Sequence, residues 1–214
     1  KSKIILIAGP TASGKSKIAI NLAKKINGEI VNADSMQVYK QLKILTARPT
    51  GEDQKNIKHY LFGIIDVRKR FSTGQWLKEC IKIINLIRKR KNVPIIVGGT
   101  GLYFKALVDG LVRIPKFKPS DKNKILKLHN KLGQNQFYKK LIKLDPISKK
   151  FVNSNDVSRS IRAYEVKKLT KKSLYKWFNE TKTYFDKNDF VMTYLDYPRD
   201  KLIINNKKRI DRMF

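Results

Sequence analysis

The tightest constraint on this chain is the run Gly9-Pro10-Thr11-Ala12-Ser13-Gly14-Lys15-Ser16, which follows the apolar stretch Ile4-Ile5-Leu6-Ile7-Ala8 and leads straight into a helical pattern. A strand that turns through glycines into a helix commits the chain to a βα unit, the building block of a parallel sheet. The run fits G-x-x-x-x-G-K-[ST] in the context that spacing requires. Its glycines let the backbone wrap an anion, so that main-chain N–H groups and the helix N-terminus face phosphate oxygens. Lys15 would place a point charge on the terminal phosphates, and Ser16 would offer a hydroxyl to Mg²⁺. The whole segment Gly9–Ser16 is therefore a candidate di- or triphosphate site, weighed against a plain glycine turn joining a strand to a helix.

The alternation continues. A helix is expected from about Lys15, with Ile18, Leu22 and Ile26 at four-residue spacing and Gly28 as its stop. A second strand, Glu29–Ala33, ends at Asp34-Ser35. After a polar connection come a helix over Ser72–Arg90 and a third strand, Val93–Val97, closed by Gly98-Gly99-Thr100-Gly101. This rhythm predicts an α/β fold: a parallel sheet of the P-loop NTPase kind, flanked by helices. Ligands bind such sheets at the carboxyl ends of the strands. The Gly9 loop, Asp34 and Thr100 all follow strand ends, so one crevice can gather them.

From about Arg113 the pattern changes to short lysine-rich helices. Ser120-Asp121 caps one that stops at Gly133, Phe137, Leu141 and Leu144 mark the next, and Asn155-Asp156 starts a third carrying Arg159 and Arg162. The expected organisation is a core over 1–112, a helical insertion over 113–189 and a return to the core over 190–214. There Phe190–Leu195 is a strand and Arg199–Phe214 opens a further helix.

Charge narrows the partners. The 214 residues hold 48 Lys+Arg against 17 Asp+Glu, a net charge of +31, which favours a polyanion such as nucleic acid. Coding bias toward lysine, asparagine and isoleucine is the competing explanation. The single cysteine, Cys80, rules out an intramolecular disulfide framework and sits among apolar residues as core filler. No apolar run approaches the ~20 residues that span a bilayer, so no membrane role and a cytoplasmic setting are expected.

Among residues able to do chemistry, Asp34 is a candidate base beside the phosphate loop, or with Ser35 a helix N-cap. The third strand ends in Gly98-Gly99-Thr100 without the acidic residue that commonly organises Mg²⁺ in NTPases. A Thr100 hydroxyl between glycines suits a phosphate oxygen. Arg159 and Arg162, three apart, can face a common anion. His59 is read as structural or loop-positioning, and His129 as a surface helix residue.

Taken together, these residues resemble the tRNA dimethylallyltransferase family. The resemblance rests on Gly9–Ser16, Asp34-Ser35-Met36-Gln37-Val38-Tyr39, Thr46-Ala47-Arg48-Pro49, Gly98–Phe104 and Asn155–Glu165, in family order over nearly the whole chain. It implies transfer of a dimethylallyl group from dimethylallyl diphosphate to N6 of adenosine 37, in tRNAs reading codons that start with U. Mg²⁺ is the implied cofactor. The implied partners are a tRNA anticodon stem-loop and the diphosphate, with a monomer as the default state.

By the same resemblance Asp34, Thr100, Lys15 and Arg162 are catalytic. Contacts to tRNA fall on Asp34, Ser35, Met36, Gln37, Thr100, Lys122, Ser158, Arg159, Ser160, Ile161 and Arg162. An adenylate isopentenyltransferase or a small-molecule P-loop kinase are the alternative enzymes, and a non-catalytic nucleic-acid module is the alternative class. Leu45, Arg48 and Tyr60 depart from the commoner family residues, and family members continue past Phe214.

Overall fold

A computed structural model describes residues 2–49, 51 and 56–211. The chain divides into two compact units, Lys1–Gly110 with Thr183–Phe214, and Leu111–Lys182. Thr183–Asp189, expected with the insertion, groups with the sheet unit. There Phe185 packs edge-on to Phe190 at 6.0 Å.

The first unit is built on five strands, β1 (Ile4–Ala8), β2 (Gly28–Asn32), β3 (His59–Tyr60), β4 (Val93–Gly98) and β5 (Phe190–Tyr194), in the order β3-β2-β4-β1-β5. Every pairing is parallel, with Ile5 opposite Ile95 and Val191, and Ile30 opposite Ile95 and His59. Continuous apolar strands such as β4 fit a sheet covered on both faces. On one face α1 (Lys15–Ile26) sets Ala19 and Ala23 against Ile7, Ile30, Ile95 and Val97. The expected stripe of Ile18, Leu22 and Ile26 is therefore not the deepest one: Ile18 is exposed, and the small alanines bring the helix close.

On the other face lie α2 (Thr73–Lys89) and α3 (Gly101–Val108). Ser72 caps α2 in a reciprocal capping box with Gln75, and the helix runs one residue inside the expected limits at each end. Trp76 stacks on Tyr103 at 4.2 Å and donates its Nε1–H to the Asn32 carbonyl at 2.7 Å. Cys80 is fully buried among these side chains, and burial pushes its thiol pKa up. Strand β3 was not anticipated; at two residues it is too short for a periodic signal.

Gly98 is set by close approach. A Cβ there would fall 2.2 Å from the Ala33 carbonyl, so only glycine lets β4 leave the sheet against the end of β2. At the edge, β5 buries Phe190 and exposes its other four residues. The chain then enters α7 (Arg199–Asp211).

The second unit is helical. The span α4 (Pro119–Leu144) breaks at Gly133, whose φ of 70° and ψ of 166° make it two helices, as the glycine predicts. The helix α5 (Val157–Thr170) starts at Asp156, whose side chain accepts the Arg159 N–H at 2.9 Å, and α6 spans Leu174–Phe178. Phe137 and Leu141 are fully buried with Ala163, Tyr164 and Val166. His129 is not a plain surface residue: it meets Phe137 edge-on at 5.0 Å and bonds Gln134 across the Gly133 break.

Candidate active site

At the carboxyl ends of the strands lies a cavity of about 570 Å³, lined by loop residues Thr11, Ala12 and Gly14 with Lys15 and Ser16. Positive φ at Ala12 (63°) and Gly14 (82°) curls the loop, and Gly14 precedes the first turn of α1. Glycine takes that conformation without the Cβ penalty. The result is a row of N–H groups at a helix start, the arrangement that binds anions.

Lys15 donates from Nζ to the Pro10 carbonyl at 2.7 Å, so the ammonium folds over its own loop. Its pKa is lowered, first by burial, with Arg209 adding to the effect and Asp34 opposing it. Ser13 Oγ is buried without a hydrogen-bond partner among the described residues. A buried hydroxyl left unsatisfied costs about 1–3 kcal/mol, so this group is poised to bond an incoming oxygen.

Asp34 lines the same cavity. Its Oδ1 accepts the N–H groups of Met36 at 2.8 Å and Gln37 at 3.3 Å. One oxygen thus caps a turn, where no helix follows, and the residue lines the cavity with Lys15. Met36 and Gln37 also line it, Gln37 held by a bond from Nε2 to the Thr46 carbonyl at 2.8 Å.

Thr100 is bonded to the turn that carries Asp34. Its Oγ1 accepts the Ser35 N–H at 2.9 Å and donates to Ser35 Oγ at 3.3 Å, while β4 contributes Val97 and Gly98 to the cavity wall. Thr100 ties the turn at 34–37 to the end of β4.

Two further residues come from α7. Arg209 lines the cavity and donates to the Leu45 carbonyl at 3.0 Å; Asn205 donates to the Ala12 carbonyl at 3.2 Å. Sequence reasoning missed both, although their four-residue spacing on a helix puts them on one face. That helix then closes over the loop.

In the second unit, Arg159 pairs with Asp156 at 3.4 Å and Arg162 with Glu165 at 3.3 Å. Arg162 also lies 5.6 Å from the centre of the Phe117 ring. The two arginines therefore have separate partners within the unit. Ser158 and Lys122 are exposed, Ile161 is half-buried, and Ser160 is buried with its hydroxyl 3.1 Å from Gln134 Nε2.

Among the described residues no group of three or more His, Cys, Asp or Glu is arranged to hold a metal. Among the cavity's oxygen-bearing side chains, the Ser16 hydroxyl and the Asp34 carboxylate flank the loop lysine. That sparse set fits Mg²⁺, which keeps several waters and takes oxygens from a substrate's phosphates.

A glycine loop between β1 and α1, with its lysine at the carboxyl edge of a parallel sheet, defines a P-loop phosphate-binding protein. The family model described as IPP transferase matches residues 37–214, and the chain belongs to that family. It is 57% identical over 203 residues to the tRNA dimethylallyltransferase of Pelagibacter ubique, covering 95% of this chain and 65% of the relative. It is 38% identical to that of Ehrlichia canis, covering 99% and 70%. A crystal structure of a eukaryotic dimethylallyltransferase acting on tRNA superposes with a TM-score of 0.85 at 31% identity, over 100% of this chain and 53% of the other. The chain thus spans about two-thirds of the length of its curated relatives. No helix among the described residues is long and apolar enough to cross a membrane.

Proposed function

We propose that the protein transfers the dimethylallyl group of dimethylallyl diphosphate to N6 of adenosine 37 in tRNAs reading codons that start with U. The observation that carries this reading is Asp34 facing Lys15 across a cavity with no second carboxylate from β4. An attacking water or hydroxyl needs no organising here, because the diphosphate is the leaving group.

The chemistry follows from the side chains. The bond between the allylic carbon and diphosphate oxygen breaks, its electron pair leaving with the diphosphate and positive charge spreading over the allyl group. Lys15, the loop N–H groups, the Ser13 hydroxyl and Arg209 stabilise the developing negative charge. Mg²⁺, when bound beside Ser16 and Asp34, would neutralise part of the same charge. N6 attacks the carbon as Asp34 accepts its proton, help worth ~10²–10⁴-fold for a positioned base. Thr100 acts through Ser35, holding the turn that aims Asp34. The adenine must leave its stack to enter, at a cost of a few kcal/mol.

The second unit supplies the grip on RNA. It carries 20 lysines and arginines against five aspartates and glutamates, so phosphate contacts can position the tRNA. Lys122, Ser158 and Arg159 are the exposed contacts, and Arg162, paired with Glu165, belongs to the same unit. A cytoplasmic monomer accords with this reading. The test is to supply labelled dimethylallyl diphosphate, Mg²⁺ and unmodified tRNA to the full-length protein. Label on the tRNA supports the proposal; label on free AMP or ATP alone, or phosphoryl transfer from ATP, overturns it.

A further inference from the structure

The second unit exposes an aromatic row that its packing does not require. Phe151 stacks on Tyr175 with centroids 4.2 Å apart and planes 13° from parallel, and Tyr175 meets Phe178 edge-on at 5.8 Å. Phe151 is 53% exposed and Phe178 49%, so the outer ring of the stack presents apolar area to water.

One buried group builds this arrangement. Asp145 is 2% exposed, and its Oδ2 accepts hydroxyl bonds from Ser148 at 2.9 Å and Ser173 at 2.8 Å. Ser148 lies three residues before Phe151 and Ser173 two before Tyr175. The carboxylate therefore fixes the two segments that carry the stacked rings. A row set by a satisfied buried carboxylate is a rigid platform, not a chance collapse of surface side chains.

The surroundings choose the occupant. Lys149 and Lys150 precede Phe151 and are exposed, and Lys176 follows Tyr175, also exposed. Arg159, paired with Asp156 but with its side chain 71% exposed, acts electrostatically on Tyr175, against the buried Asp145 and its own partner Asp156. An aromatic face flanked by cations suits a nucleobase and its phosphate, because bases stack on rings whatever their sequence while lysines hold the backbone. A mainly apolar protein partner would bring no use for this charge.

We infer that the Phe151–Tyr175 stack is a platform for an unpaired base of the bound RNA, distinct from the adenosine that reacts. The inference rests on the RNA-binding reading of the second unit.

The test measures binding of the full chain, by fluorescence anisotropy at one fixed salt concentration, to a short RNA hairpin with an unpaired loop and to a blunt duplex of its stem. Phe151→Ala weakens the hairpin complex ~5–100-fold, the range of one lost base stack, and leaves the duplex within about twofold. Phe151→Trp keeps the affinity. Phe151→Leu, which preserves apolar volume and the thermal unfolding of the unit, behaves as Phe151→Ala.

Wild-type binding that Phe151→Leu leaves unchanged would overturn the platform alone. Loss of self-association in sedimentation, with RNA affinity intact, would assign the row to a second copy and also overturn it. A wild-type chain that binds neither RNA would overturn the platform together with the RNA-binding reading.

Discussion

The two ends of the sheet both hold charge withdrawn from water, buried at one and half-buried at the other, and they hold it on opposite terms. At the amino end, Glu29 is 4% exposed in its side chain, and both its oxygens are used. Oε2 accepts from the Tyr60 hydroxyl and from Arg90, each at 2.6 Å, and Oε1 accepts from Asn92 at 2.6 Å and Arg90 at 3.1 Å. At the carboxyl end, Lys15 is spent on its own loop carbonyl and Ser13 has no partner among the described residues. A buried charge with every partner present is scaffold. Polar groups arranged around a cavity and short of partners are a site, since completing them is what a ligand gains by binding.

Substitutions should separate the two ends, beginning with the largest effect. Asp34→Asn in the full-length protein should cut turnover ~10²–10⁴-fold as the proton acceptor is lost. Its tRNA affinity should stay within a few fold; equal losses in both would make Asp34 a binding residue only. Lys15→Ala should follow at ~10²–10³-fold, the cost of one missing charge stabiliser, with its unfolding midpoint unchanged.

Glu29→Gln should do the reverse, leaving turnover near wild type and lowering stability by about 2–3 kcal/mol, because Arg90 loses a charged partner. Burial alone would raise the Glu29 pKa, but bonds from Arg90, Tyr60 and Asn92 prevail and hold it below the usual carboxylate range. A depressed folded-state pKa adds stability that is complete above the unfolded value near ~4.3 and disappears as pH falls through the folded one. Urea unfolding should therefore show the gap between wild type and Glu29→Gln narrowing below about pH 4. A gap that widens on acidification would contradict the assignment. Ser13→Ala is the mildest change: stability raised by about 1–3 kcal/mol as the unsatisfied hydroxyl is removed, and diphosphate binding weakened only ~3–10-fold by one missing hydrogen bond.

Residues next to one another in sequence made part of this site legible. Gly9–Ser16 and Asp34 sit directly after strands, so local pattern places them at the sheet's carboxyl edge. Thr100 was found by the same logic, but its bond to Ser35 joins residues 65 apart, and only the order of β2 beside β4 reveals it. Asn205 and Arg209 were hidden for a related reason: their contacts with Ala12 and Leu45 cross more than 160 residues and depend on how α7 closes over the loop. In α1 the isoleucines gave the period correctly, while the tightest contact fell to Ala19 and Ala23, because close helix-to-sheet approach rewards small side chains. His129 was misread since its partner Gln134 is reached only through the break at Gly133.

The central claim is that the cavity at Lys15 and Asp34 holds a departing diphosphate and not a phosphoryl donor. It is tested most directly by following both products of one reaction, with full-length protein, dimethylallyl diphosphate, Mg²⁺ and unmodified tRNA. Pyrophosphate is expected to be released one-for-one with N6-dimethylallyladenosine in the tRNA. Orthophosphate from added ATP, with no modified nucleoside, would contradict it.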